Sequence, residues 1–296
     1  MSDWYQIESN SLIVQVTSRG AEMKRLFVKG WHRELLWLAD EKIWNRSAPV
    51  LFPIVGRLKD DEYHLQGKTY KMSQHGFGRD TEFACTECGT GEVEFLMTAT
   101  QETFAQYPFC FELKVNFKVV ENKLIVSYFV KNNDRQDILF SIGAHPAFET
   151  KELENYEIRF EHSEGEYFQL KNGLVDWGHG IDFEKKVIKP TAELFKNDAL
   201  IFKNIKSKYI DLVDVKSHEV IRMHANAPYW GIWAKGDVPF ICLEPWYGVG
   251  DSLGHDKNFE VKEGIVTLPE GEIFGFSYTL EIKAMDVVEE KKTNKP

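Results

Sequence analysis

The sequence predicts an all-β protein, and three observations carry that expectation. From Phe111 to Val119, the apolar Phe111, Leu113, Val115, Phe117 and Val119 alternate with Glu112, Lys114, Asn116 and Lys118. A period of two marks a strand with one buried face. Helical patterns are confined to two short windows, around Glu102–Tyr107, stopped by Pro108, and around Ala192–Phe195. Phe, Trp and Tyr make up 14% of the residues, a high share of the side chains that suit pleated surfaces. A chain of 296 residues fits one large β unit. Residues 1–285 are therefore expected to form a single β-sandwich domain of many antiparallel strands, with two large sheets face to face. Residues 286–296 form a tail, charged from Glu289 onward, that is expected to fray.

Taken in order, Leu12–Val16 is an apolar run closed by Ser18-Arg19-Gly20. Tyr63–Gln66 and Thr69–Met72 flank Gly67-Lys68 as a hairpin. Val93–Ala99 follows the Gly89-Thr90-Gly91 turn. Glu121-Asn122-Lys123 turns the alternating strand into Leu124–Val130, which ends at Asn132-Asn133-Asp134. Ile138–Ile142, Tyr156–Phe160, Tyr209–Val215, Val220–His224, Tyr229–Ala234, Phe240–Leu243 and Phe274–Ile282 read as further strands.

Composition narrows the function. The formal net charge is −10, with no concentrated basic stretch, which argues against nucleic acid. No apolar run approaches the length of a membrane-spanning helix, and Met1-Ser2-Asp3-Trp4 lacks the character of a signal peptide. A cytoplasmic protein with reduced thiols is expected. Cys85 and Cys88 have a Cys-x-x-Cys spacing but no second pair, and no His-x-His or His-x-x-x-His pattern exists, so no metal is expected.

Five segments set a polar group among glycines, prolines or apolar residues. In Phe140–Phe148, His145 stands between Gly143-Ala144 and Pro146. Proline fixes its own φ and pushes the residue before it toward an extended conformation, so His145 sits on a stiff, narrow piece of chain. This suits either a proton donor or a hydrogen-bonded core histidine. Phe52-Pro53-Ile54-Val55-Gly56-Arg57 presents Arg57, and Gln74-His75-Gly76-Phe77-Gly78-Arg79 presents His75 and Arg79 on a two-glycine loop. Asp198 precedes an apolar run and reads as a turn or N-cap residue. Glu244 follows Phe240-Ile241-Cys242-Leu243 and reads as a partly buried carboxylate at a strand end. Burial would raise its pKa toward a base's working range. For both arginines a surface ion pair is the competing reading. Trp246 is a candidate for stacking on a sugar ring, whereas Trp230 and Trp233 read as core. His218, His224 and His255 are poorer candidates.

Gly56-Arg57, His75-Gly76-Phe77, Gly143-Ala144-His145-Pro146 and Glu244-Pro245-Trp246-Tyr247, in this order, resemble the aldose 1-epimerase (mutarotase) family, and within it the LacX-type branch. The resemblance runs from about Ser11 to Ile282. It implies a galactose-mutarotase-like β-super-sandwich with an open cleft, and a cofactor-free reaction on a hexose. An acid protonates the ring oxygen, a base takes the anomeric proton, the ring opens, the C1–C2 bond rotates and the ring closes on the other face. By position, His145 is implied as the acid, Glu244 as the base and His75 as the second histidine. Arg57 and Asp198 are implied as substrate contacts. The galactose-active branch commonly has Asn-Arg after its Gly-Arg, where Leu58-Lys59 stands here, and His-Gly-Gly where His75-Gly76-Phe77 stands here. His-Gly-Phe-x-Arg also resembles the hexose-6-phosphate epimerase branch, with Arg57 and Arg79 suited to a phosphate. A non-catalytic sugar-binding or regulatory protein is the third reading. The oligomeric state stays open.

Overall fold

The computed structural model of the protein describes residues 2–236 and 238–285, so the expected tail over 286–296 lies outside the described residues. The alternating stretch forms the strand Phe111–Val120, paired antiparallel with Lys123–Asn132 on one side and Glu92–Thr98 on the other. Phe111, Leu113, Val115 and Phe117 are buried, at about 1.5–3 kcal/mol of favourable transfer each. These three strands belong to a nine-stranded sheet that continues through Ile273–Ala284, Glu219–Ala225, Tyr209–Asp214, Tyr156–Tyr167 and Ile181–Ile188, with Ala84–Cys88 at the other edge.

A six-stranded sheet faces it. Its path runs Leu200–Lys203, Tyr229–Trp233, Phe240–Tyr247, Ile142–Ala144 and Val50–Leu51, and Ala147–Glu149 also pairs with Phe240–Tyr247. Aromatic contacts between the inner faces join the two sheets, Phe160 to Phe202 at 5.1 Å and Tyr247 to Phe276 at 5.1 Å between ring centroids. Apolar residues of both sheets belong to one continuous core. A four-stranded sheet, Trp4–Glu8, Leu12–Thr17, Glu22–Val28 and Arg33–Glu34, adds its own buried face to that core. Gln101–Gln106 is an α-helix, capped by the Thr100 hydroxyl accepting from the Thr103 N–H and ended before Pro108. Ala192–Phe195 is a single 3₁₀ turn.

Three expectations need correction. Ile138–Ile142 is broken into Ile138–Phe140 and Ile142–Ala144, which join different sheets. The strand expected to stop at Leu243 continues to Tyr247, so Glu244 lies inside it. Cys85 and Cys88 are not free thiols but are joined as a disulfide. In a regular strand residues three apart face opposite ways. A bulge between Cys85 and Glu87 inserts an extra residue and brings the two sulfurs to one side. Among the described residues no helix is long and apolar enough to cross a membrane.

Candidate active site

The site grows out of one strand pairing. Ile142 and Gly143 pair with Tyr247 and Trp246, and Ala147 and Phe148 pair with Cys242 and Ile241. The register is the same on both sides of the break, so His145 falls opposite Glu244. Pro146 and Pro245 supply no N–H to the ladder, which explains why pairing is interrupted here and why a proline is tolerated inside a central strand. The bare stretch is where the two polar side chains meet. Directly opposed residues of an antiparallel pair project to the same face with Cβ atoms about 5 Å apart. His145 Nε2 lies 3.3 Å from Glu244 Oε2, and both residues are buried.

Along Phe240–Tyr247 the side chains divide by face. Ile241, Leu243 and Tyr247 join the core between the large sheets. Cys242, Glu244 and Trp246 point the other way, and a cavity of about 320 Å³ opens over Glu244 and Trp246. His145, Glu244, His75, Arg57, Arg79, Asp198 and Trp246 all line this cavity. The Trp246 indole lies against Gly231 and Gly143 on the two neighbouring strands. A Cβ on Gly231 would stand 2.3 Å from its Cζ2, and one on Gly143 2.6 Å from its Cδ1. Only glycine lets the ring lie flat beside Glu244.

Each remaining residue is held by its own local structure. His75 has a φ of 67°, and its Nδ1 accepts the Gly56 N–H at 3.1 Å. The neutral ring therefore carries its proton on Nε2. Asp198, at φ 73°, caps its own turn by accepting the Ala199 N–H at 2.9 Å, and it also lines the cavity. Arg57 is half-exposed and makes a two-pronged pair with Asp61, both contacts at 2.8 Å. Arg79 is more buried. Its Nη2 donates to the Gln74 carbonyl at 2.7 Å, while its buried Nε stands 3.8 Å from Asp80 Oδ2 and makes no hydrogen bond. Behind this wall the buried Lys262 ammonium donates to the Val249 carbonyl and to Asp251, while the Asp251 N–H donates to the Arg57 carbonyl. This network ties the two loops that carry Gly56, Arg57 and Gly250 to each other.

Among the lining residues that the sequence reading missed are Trp44, Gln74, Lys235 and Trp233. Trp233, expected in the core, stands edge-on to His145 at 5.7 Å, and Trp44 packs at 5.1 Å on the same ring. Trp230 is core, as expected. Strand alternation separates Trp230 from Trp233 by an odd number of positions, a signal that could have set them on opposite faces. His224 pairs with Glu281 on the nine-stranded sheet, away from the cavity.

Burial acts on both members of the His145–Glu244 pair. Burial, with the Asp198 charge adding to it, pushes the Glu244 carboxyl well above its ordinary value. The Trp246 indole pulls slightly the other way without reaching hydrogen-bond geometry. Burial pulls the His145 imidazole down to about 3, and it pulls His75 well down with help from His145 and Arg79. A carboxyl with a raised folded-state pKa leaves stability unchanged below its unfolded value of 4.5 and lowers stability as pH rises above it. Glu244→Gln removes that penalty. The variant should melt higher than the parent at pH 7, and the gain should shrink toward pH 4.5, as followed by calorimetry. A Gln variant less stable than the parent at pH 7 would contradict this.

The profile of the family described as aldose 1-epimerase matches residues 3–280. The chain belongs to this family. It is 30% identical over 277 residues to the chromosomal protein LacX of Lactococcus lactis, covering 87% of this chain and 92% of that one. A galactose mutarotase related enzyme from Lactobacillus acidophilus superposes with a TM-score of 0.92 at 32% identity, over 97% of this aldose 1-epimerase family chain and 99% of the other. A galactose mutarotase-like protein from Lactobacillus casei gives 0.87 at 28% identity, over 95% and 100%. The fold is the galactose mutarotase-like β-sandwich expected of the family.

Proposed function

We propose that the protein interconverts the α and β anomers of a free hexose by acid–base opening and closure of the sugar ring. The observation that carries this reading is the 3.3 Å contact between His145 and Glu244 on the cavity floor. Such a contact suits the reaction, because the ring oxygen and the anomeric hydroxyl share one carbon. Two groups side by side can each reach one of these oxygens.

Opening puts a proton on the ring oxygen and takes one from the hydroxyl. In this reading His145 gives the first proton and Glu244 accepts the second. Closure on the other face returns both. One proton shared by the pair is enough. Burial favours the uncharged arrangement, imidazole beside carboxylic acid, so the proton crosses the His145–Glu244 contact as the sugar binds. His75 keeps an Nε2 proton to donate to the ring oxygen or a neighbouring hydroxyl, and Trp246 offers an apolar face to the ring. Exchange spectroscopy by NMR on a panel of hexoses tests the proposal. Saturable acceleration of anomer exchange is expected. Sugar binding with no acceleration on any substrate would favour the non-catalytic reading.

One observation favours a hexose phosphate as a second reading: Arg79, whose Nε makes no hydrogen bond, lines the cavity together with Arg57. Arg79→Ala would then raise KM for the phosphorylated sugar by about 10–100-fold more than for the free one, the effect of one charge-assisted hydrogen bond. Arg57→Ala would discriminate in the same sense. For a free hexose, Arg57→Ala should weaken both substrates alike and Arg79→Ala should change neither. Steady-state kinetics on the paired substrates decides between them.

A further inference from the structure

We propose that the floor of the cavity is also a binding site for a divalent cation of the zinc type, held by the His145 imidazole, the Cys242 thiolate and the Glu244 carboxylate, and that the bound ion stops anomer exchange. One ligand atom from each of these three buried residues lies within 4.8 Å of the other two. The strand geometry explains why they gather. Cys242 and Glu244 are two apart on one strand and share a face, and His145 stands opposite Glu244. No short spacing motif joins residues that meet only through sheet pairing, so the sequence held no metal signature.

The dimensions suit the ion. Zinc bonds of about 2.0–2.2 Å to nitrogen and oxygen place those two atoms about 3.3–3.5 Å apart at a tetrahedral edge. The His145–Glu244 spacing is 3.3 Å. The Cys242 sulfur lies within 4.8 Å of the other two atoms and has to approach by up to about 1 Å to complete a bond of about 2.3 Å. Glu244 Oε2 is buried and has no hydrogen-bond partner, which leaves its lone pairs free for a ligand bond. His145 and Glu244 line the cavity and Cys242 does not, so an ion entering from the cavity meets the sulfur from behind and keeps its fourth position toward the sugar side. Charge balances as well. A thiolate and a carboxylate neutralise a divalent ion, with the thiol and carboxyl protons released to solvent. Imidazole, thiolate and carboxylate together favour zinc or cobalt over magnesium or calcium. With both proton-transfer groups bound to the metal, neither can serve the sugar. This second half of the proposal rests on the anomer-exchange reading, whereas the binding half does not.

The test uses the full chain carrying Cys85→Ser and Cys88→Ser, which removes the other close cysteine pair, after treatment with a chelator. Cobalt(II) chloride is titrated while the near-ultraviolet thiolate-to-metal band is followed, and zinc(II) chloride is titrated by calorimetry. One equivalent of cobalt should saturate the band. Cys242→Ala should abolish the band and weaken zinc by at least about tenfold, since losing a direct ligand costs no less than losing an outer-shell partner. Cys242→Ala should keep its basal exchange rate and lose its sensitivity to zinc. Glu244→Gln provides a second binding variant of unchanged volume, and it should also bind zinc more weakly. Absence of the band at one equivalent, or zinc affinity equal in parent and both variants, overturns the site. Stoichiometric binding with unaltered exchange overturns the inhibition alone. A chain that binds zinc but exchanges no anomer rejects the enzymatic reading and leaves the metal site supported.

Discussion

Glu244→Gln and His145→Asn are each expected to lower kcat for anomer exchange by about 10²–10⁴-fold, the usual contribution of a positioned proton-transfer group. The Gln side chain keeps the shape of Glu244 and can still hydrogen-bond, but it cannot take the anomeric proton. The Asn side chain is polar but has no titrating nitrogen. Both positions are buried, and each variant removes a group that burial holds away from its ordinary protonation, so folding should survive. Sugar affinity should largely persist in Glu244→Gln. The two losses should not add in the double variant, because either change alone breaks a single proton circuit. Full exchange activity in Glu244→Gln, measured by NMR under saturating sugar, would show that another group or water takes the proton, and the proposal would fail.

The second large effect is expected at a residue with no chemistry of its own. Gly231→Ala puts a methyl group 2.3 Å from Trp246 Cζ2 and 2.4 Å from Cη2, inside any real carbon–carbon contact. The indole is buried and is hemmed in by Gly143 at its other edge. It cannot swing aside as a lysine end would. The methyl must lift the ring off the strand and into the cavity. Overpacking of this kind costs about 1–3 kcal/mol of stability. The displaced ring should also raise KM, because it occupies the space meant for the sugar. Denaturant melts and steady-state kinetics of Gly231→Ala should therefore both change. A variant with parental stability and parental KM would mean that the indole is not confined as described.

The site was legible where local chain chemistry is restrictive. Gly143-Ala144-His145-Pro146 and Glu244-Pro245-Trp246 each put one polar group among residues that limit the backbone, and both carry residues of the cavity wall. The alternation of Phe111–Val119 was legible for a similar reason, since a half-buried strand writes its period into the sequence. Contacts made by sheet register were harder to see. Glu244 looked like a strand end because Pro245 follows it, yet the neighbouring strand is itself broken at Pro146, and a proline opposite a gap leaves no ladder bond unmade. Trp44 and Lys235 reach the cavity through loops whose course no periodicity describes. The Cys85–Cys88 bond needed a bulge, which leaves no mark in the spacing.

The division between strand-borne and loop-borne groups has an evolutionary consequence. His145 and Glu244 are fixed by the register of a strand pairing, and moving either by one position would turn it to the opposite face. Arg57, Asp198 and Lys235 sit outside the regular strands, where insertions and replacements are tolerated. Under the proposed function, descendants of such a chain can trade one sugar for another by redrawing loops while keeping the His145–Glu244 pairing intact. Substrate preference should accordingly drift faster than reaction type among its relatives.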